Sequence, residues 1–385
     1  MALLIKSLVV KIVQRCNLNC TYCYMYNHAD QSFRTRPALM SRDIFRAMVS
    51  RISSYCESRP DHVMDVIFHG GEPMLFDPHD MDELLTYAKH ILGRRVRYGL
   101  QTNGTLVTDE WIDVFLRHDI RPSVSIDGTP EVHDALRVDH KGRGSYEKAV
   151  AGLKKLMDAK LDPGVLCVIS PGQSGIDVYR HLRSLGLKRM DFLLPDATHD
   201  SKPLMYGTYG LTPISDYLSP IFDAWFEEDD SEIRIRLFVE IIRLLLGGTP
   251  ITDNMGASLK GQNYLIIDTD GSIHGTDVLK ICYEGASDTG LNVLNDEFSD
   301  LSKANPLAFQ LINHGVPLCA ECLACPEQDI CRGGAMAHRY SQAKGFANPT
   351  VWCMDMLKLI AHIRASISQF DVPPVPAASR QMIAN

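Results

Sequence analysis

Three cysteines near the start of the sequence, Cys16, Cys20 and Cys23 in QRCNLNCTYCYMYN, follow the spacing CX3CX2C. Thiolates so placed can hold a metal cluster that is one protein ligand short of four. An iron–sulfur cube on three thiolates leaves one iron open to a small molecule, whereas an electron-carrier cluster is closed by four cysteines. A zinc site or three unrelated thiols is the alternative from spacing alone, although structural zinc takes four ligands. A second set, Cys322-X2-Cys325-X5-Cys331 followed by Cys353, supplies four thiolates. That is enough to close a cubane without help from substrate, with a zinc ribbon as the alternative.

Such chemistry needs a scaffold, and the first half of the chain alternates strand and helix. Short β-branched runs recur at 6–14, 63–69, 96–101, 122–126, 163–169 and 189–194. Between them, Ile44, Met48, Ile52 and Tyr55 keep helical spacing, as do Trp111, Val114 and Phe115, and Val150, Leu153, Leu156 and Met157. Six βα units predict an α/β fold with a parallel sheet, right-handed crossovers and an active site at the strands' carboxyl ends. Those ends carry Gly70-Gly71-Glu72-Pro73, Gln101-Thr102-Asn103-Gly104 and Ser125-Ile126-Asp127-Gly128. Each group is also a good turn former. Glycines let a backbone approach a ligand closely, and a carboxylate such as Glu72 suits an ammonium group. Further on, Ile221, Phe222 and Trp225, then Phe238, Ile241, Ile242, Leu245 and Leu246, predict two bridging helices, with 354–369 as a closing helix. The run DVPPVPAAS has the composition of a mobile tail.

With 385 residues and 45% hydrophobic content, the chain is large enough for a barrel and an appended smaller domain. A net charge of -8 and the absence of a basic stripe exclude a general attraction for nucleic acid. MALLIKSLVVKIVQ is short, is broken by Lys6 and Lys11, and reads as a first strand rather than a signal or membrane segment. Eleven cysteines in such a chain point to metal in a reducing cytosol, hence a cytoplasmic protein. Cys56 and Cys167 read as core residues.

The triplet, Tyr22 immediately before its third cysteine, and His69-Gly70-Gly71-Glu72-Pro73 together resemble the radical S-adenosylmethionine (SAM) superfamily. The resemblance implies a partial (β/α)6 TIM-like barrel over 1–212, SAM, and a 4Fe-4S cluster on Cys16, Cys20 and Cys23. It places the SAM amino group at Gly71 and Glu72 beside Gly70, Tyr22 near the adenine, and a ribose or carboxylate contact at Ser125. Gln101, Asn103 and Leu194 join the SAM contacts. Arg137 falls where a carboxylate-binding arginine is expected, with pairing to Asp134 or Asp139 as the alternative. After bridging helices at 213–250, residues 251–370 resemble the SPASM domain of radical SAM peptide maturases, and 371–385 form the tail. The full SPASM pattern has seven cysteines and two auxiliary clusters. Here Gly333-Gly334-Ala335 lacks one expected cysteine, and Thr276 replaces another. One auxiliary 4Fe-4S cluster is therefore expected, on Cys322, Cys325, Cys331 and Cys353. Cys282 and Cys319 are left unassigned, as free thiols. In sulfatase-type maturases an aspartate at the position of Asp277 is regarded as the acid–base residue, which makes Asp277 the candidate base; a turn aspartate is the alternative. His199 and Asp200 are further candidates to face substrate, and His338 reads as structural.

The stretches DFLLPDATHD, DTDGSI with DVLK, and ICRGG followed by HRYSQAKGFANPTVWC resemble the maturases that form three-residue cyclophanes in ribosomally synthesised peptides. This finer resemblance implies hydrogen abstraction from a β-carbon and bonding of that carbon to an aromatic ring. Formylglycine formation by a sulfatase-type maturase is the alternative enzyme, and a zinc-stabilised binding protein the alternative outside enzymes. The expected partners are a ribosomal precursor peptide, an external electron donor of flavodoxin or ferredoxin type, and, if the body of the chain does not read the leader, a separate leader-recognition protein.

Overall fold

The computed structural model describes residues 4–250, 255 and 263–369; the tail at 371–385 lies outside them. In chain order the strands are β1 (Ser7–Val13), β2 (Met64–Gly70), β3 (Val96–Thr102), β4 (Ile120–Ser125), β5 (Gly164–Val168), β6 (Arg189–Leu193), β7 (Arg234–Ile235), β8 (Tyr264–Ile267), β9 (Ser272–His274) and β10 (Asp288–Asn292). The helices are α1 (Arg42–Glu57), α2 (Pro78–Leu92), α3 (Asp109–His118), α4 (Pro130–Leu136), α5 (Tyr146–Asp158), α6 (Gly175–Ser184), α7 (Lys202–Tyr206), α8 (Pro213–Glu228), α9 (Arg236–Leu245), α10 (Pro306–His314), α11 (Ala320–Leu323), α12 (Gln328–Cys331) and α13 (Cys353–Ile367). None is long and apolar enough to cross a membrane.

The chain packs into two compact units. One compact unit holds residues 4–126, 133–165 and 263–313, the other 127–132, 166–250 with 255, and 314–369. The reason is pairing at long range. In the first unit the strand order is β10-β9-β8-β1-β2-β3-β4, so β8 lies parallel to β1 with Val9 opposite Ile266. On the other side β1 pairs with β2, β2 with β3, and β3 with β4, all parallel. Period-two burial along β2 alternates Met64, Val66 and Phe68 inward, as a half-covered strand requires. The crossovers are helical because their apolar residues fall on one face: Phe45, Met48, Val49, Ile52, Tyr55 and Cys56 are buried on α1. Their starts are fixed by side chains. Ser41 accepts from Ile44 N, Asp77 from His79 N and Asp80 N, and Thr108 from Trp111 N.

In the second unit β5, β6 and β7 run in that order, and α8, α9 and α13 bring Phe222, Trp225, Phe226, Phe238 and His362 into ring contact. The acidic run after α8 is its solvated end, with Asp229 in the left-handed region at φ 45°. Thr212 does not cap α8. The buried Asp355 of α13 does so instead, its Oδ1 accepting from Ile214 N at 2.8 Å and Ser215 N at 3.1 Å. Asp355→Ala strands both N–H groups and is expected to lower the unfolding free energy by about 1–3 kcal/mol. The reading is a lower urea midpoint at constant slope, and an unmoved midpoint would reject the cap.

Candidate functional site

β1 runs directly into the loop bearing Cys16, Cys20 and Cys23, and that loop is clamped by the end of β2. Gly71 N donates to Val13 O and Glu72 N to Arg15 O, both at 2.8 Å. The approach leaves no room for side chains: a Cβ on Gly70 would lie 2.2 Å from Val13 O, and one on Gly71 2.0 Å from the Tyr26 hydroxyl. Glu72 is buried, with Oε1 accepting from Thr102 Oγ1 at 2.6 Å and Met74 N at 3.1 Å, and Oε2 from Asn103 N at 2.8 Å. Burial pushes its carboxyl up to about 7, against the pull of those bonds. One acceptor direction on Oε2 is left for a further donor.

The neighbouring strand ends hold the same loop. Asn103 Nδ2 donates to Asn17 Oδ1 at 2.8 Å and stands 3.8 Å from Cys16 Sγ. Gln101 Nε2 donates to Ser125 Oγ at 2.8 Å. Behind α4, Asn19 N donates to Val138 O and Thr21 N to Leu136 O. This brings Arg137, itself buried, to 4.0 Å from Cys20 Sγ and 5.6 Å from the Tyr22 ring centre. Nearby, Asp139 pairs with Arg143, and Asp134 accepts from Tyr146 N. Tyr22, Gly70, Gly71, Glu72, Gln101, Asn103, Ser125 and Arg137 thus belong to one end of the first unit, while Leu194 is buried beyond β6 in the second. None of the three thiols is in a disulfide among the described residues. Burial, reinforced by their mutual charge, pushes Cys16 up to about 12 and Cys23 up to about 11, so they ionise only when a cation compensates them. Such soft donors fit an iron–sulfur cube, which places each thiolate on a different iron.

Asp277 follows β9 in the first unit. Its Oδ2 accepts from Tyr24 Oη at 2.6 Å and pairs with Lys11 Nζ at 2.5 Å. Lys11 is fully enclosed on β1, donates also to Tyr24 Oη at 2.9 Å, and lies 3.2 Å from His69 Nδ1. Burial alone would raise the Asp277 carboxyl, but the Lys11 charge and the two hydrogen bonds hold it well below the usual carboxylate range. Burial and the same charge push His69 down to about 3, so it is neutral at pH 7. Asp277 Oδ1 receives no hydrogen bond from the described residues, and the side chain keeps 12% exposure. A carboxylate gripped at one oxygen and open at the other is ionised at pH 7 and fixed in orientation. Lys11 and Tyr24 are absent from the expected site; the available signal was a lysine inside the apolar run SLVVKIV.

In the second unit the thiols of Cys322, Cys325, Cys331 and Cys353 are close enough to influence one another's charge, as is that of Cys319. Cys282 is buried in the first unit. Cys56 and Cys167 are core residues. His199 and Asp200 are engaged structurally, His199 Nε2 on Pro349 O at 2.8 Å and Asp200 Oδ2 on Gln342 N at 2.8 Å. His338 is buried beside Asp196.

Residues 10–185 match the Radical SAM superfamily. They form a radical SAM domain. The chain is accordingly a radical SAM enzyme. It is 25% identical over 361 residues to a cysteine-type anaerobic sulfatase-maturating enzyme of Clostridium novyi (strain NT), covering 91% of this chain and 92% of that one. A serine-type anaerobic sulfatase-maturating enzyme of Bacteroides thetaiotaomicron is 27% identical over 256 residues, 61% of this chain and 60% of the relative. The fold is shared with native anSMEcpe with bound AdoMet, at TM-score 0.79 and 21% identity over 94% of this chain and 98% of that chain. It is shared less closely with Streptococcus suis SuiB bound to the precursor peptide SuiA, at TM-score 0.62 and 14% identity over 92% and 76%.

The ion pair in the radical SAM domain has a stability consequence. Because the folded Asp277 carboxyl lies below its ordinary value, the pair's contribution is complete above the ordinary carboxylate range. It is lost only as pH falls through the depressed folded value. Lys11→Met and Asp277→Asn each leave a buried partner alone, at a cost of about 3–5 kcal/mol. The double variant is expected to recover much of that loss in anaerobic urea unfolding. Strict additivity of the two losses would mean that the pair does not couple.

Proposed function

We propose that this radical SAM enzyme is a maturase that oxidises one residue of a peptide or protein, with sulfatase-type formation of formylglycine from Cys or Ser as the leading reaction. The observation that carries this reading is similarity to a cysteine-type sulfatase-maturating enzyme along nearly the whole of both chains. The gripped carboxylate of Asp277 supports it. Cys16, Cys20 and Cys23 hold a 4Fe-4S cluster, and Cys322, Cys325, Cys331 and Cys353 hold one auxiliary 4Fe-4S cluster. When bound, SAM and the first cluster supply a 5′-deoxyadenosyl radical, and the second cluster an electron acceptor. Glu72 presents the open side of Oε2 to the SAM amino group, Arg137 faces its carboxylate, and Ser125 is oriented by Gln101. A substrate that has lost one hydrogen atom must still give up one electron and one proton. Asp277 Oδ1 takes the proton while Lys11 and Tyr24 keep Oδ2 in place.

Cyclophane formation in a ribosomal precursor peptide is the second reading. It is favoured by Thr276, buried immediately before Asp277, and by Gly333-Gly334-Ala335, where a full seven-cysteine pattern has thiols. Both readings need an external electron donor of flavodoxin or ferredoxin type and a reducing, cytoplasmic setting.

Mass spectrometry after anaerobic turnover separates the readings. Formylglycine made from Cys exchanges sulfur and two hydrogens for one oxygen and leaves an aldehyde that reacts with a hydrazide. A crosslink removes two hydrogens and leaves no aldehyde. Aldehyde on a Cys-containing sulfatase-type peptide is expected, and a crosslinked precursor in its place would transfer the proposal to the second reading. Changing Cys16, Cys20 and Cys23 together to Ala should abolish 5′-deoxyadenosine formation and reduce bound iron from about eight to about four. Persistent reductive cleavage of SAM by that variant would sink the ligand assignment.

A further inference from the structure

We propose that Arg339 is the buried counter-charge of the auxiliary cluster and raises its reduction potential. The inference rests on the proposed ligation by Cys322, Cys325, Cys331 and Cys353. Arg339 has no exposed surface, yet a guanidinium stays charged at every working pH. Its donors reach uncharged acceptors: Nε to Asn348 O at 3.0 Å, Nη1 to Val316 O at 3.0 Å and Nη2 to Pro317 O at 2.5 Å. No ion pair with a carboxylate is formed by Arg339 among the described residues, and a buried charge without a counter-ion is strongly unfavourable. The guanidinium borders the loop after Cys331, 3.5 Å from where a Cβ on Gly333 would stand, and the negative charges that act on it are those of the Cys322, Cys319 and Cys331 thiolates. A cubane on four thiolates is a net anion and gains another negative charge on reduction. A fixed cation beside it therefore favours the reduced form, and the guanidinium N–H groups not engaged by carbonyls are available to sulfur.

The surroundings hold the cation in this place. Asn348 Nδ2 returns a hydrogen bond to Arg339 O at 2.9 Å, so the two residues fix one another's backbone. Gly333, two residues past Cys331, lies at φ +86°. A Cβ there would stand 2.9 Å from Leu318 Cδ2 and 3.5 Å from Arg339 Cδ and Nη1. Lys202 is the other cation felt by these thiols, through Cys353. Its ammonium already donates to Val351 O at 2.6 Å, lies 4.7 Å from the Trp352 ring centre, and is partly solvated. Screening by water makes it the weaker influence.

The test uses full-length protein in which Cys16, Cys20 and Cys23 are Ala, so that the auxiliary cluster is the only one. Arg339→Lys keeps the charge but not the grip on three carbonyls, and Arg339→Gln removes the charge. Iron content and an EPR-monitored redox titration are read for the parent and both variants after anaerobic reconstitution. A parent without iron overturns the ligation reading, and this inference with it, before any potential is measured. With the cluster present, a more negative potential in Arg339→Gln and a near-parental one in Arg339→Lys supports the counter-charge, as does loss of the cluster from Arg339→Gln alone. Variants that behave alike, through unchanged potentials, equal shifts or shared loss of the cluster, overturn it and leave Arg339 as a staple between carbonyls.

Discussion

An enclosed ammonium on the strand that feeds the cysteine loop is tolerable only beside an anion, and Lys11 finds that anion in Asp277. The pair spans more than half the sequence, so the turn after β9 is held against β1. Tyr24, one residue past Cys23, bonds to both members and closes the triangle. The cysteine loop, β1 and the candidate base therefore form one positioned group within the first unit. The parallel pairing of β8 with β1 supplies the backbone part of the same constraint. A shift of β1 by one residue would turn Lys11 to the opposite face of the sheet and separate the charges.

Features set by neighbours in sequence were the legible ones. All six strands expected from β-branched runs are present, because alternation over five to seven residues and flanking caps are local signals. The two bridging helices and the closing helix follow from apolar spacing in the same way. What could not be read depends on distant partners. Residues 264–292 look like part of an appended domain until β8 pairs with β1. Lys11 looks like an interruption in an apolar run until residues 24, 69 and 277 surround it. Glu72 reads equally as turn or ligand, and its bonds to Thr102, Asn103 and Met74 show that it also fastens one strand end to the next.

The two units solve the burial of charge in opposite ways. In the first, Lys11 and Asp277 neutralise one another with side chains the chain itself provides. In the second, Arg339 is held by three carbonyl oxygens. Carbonyl dipoles ease the solvation of a guanidinium without cancelling its charge. The first arrangement needs no metal, and the second would be electrically balanced if, as proposed, four thiols release their protons on binding iron. Cluster assembly and folding should therefore be coupled more strongly through residues near Arg339 than through Asp277. This division suits the proposed oxidative maturase, in which a proton acceptor must be ready before the radical forms and an electron acceptor must hold extra charge afterwards.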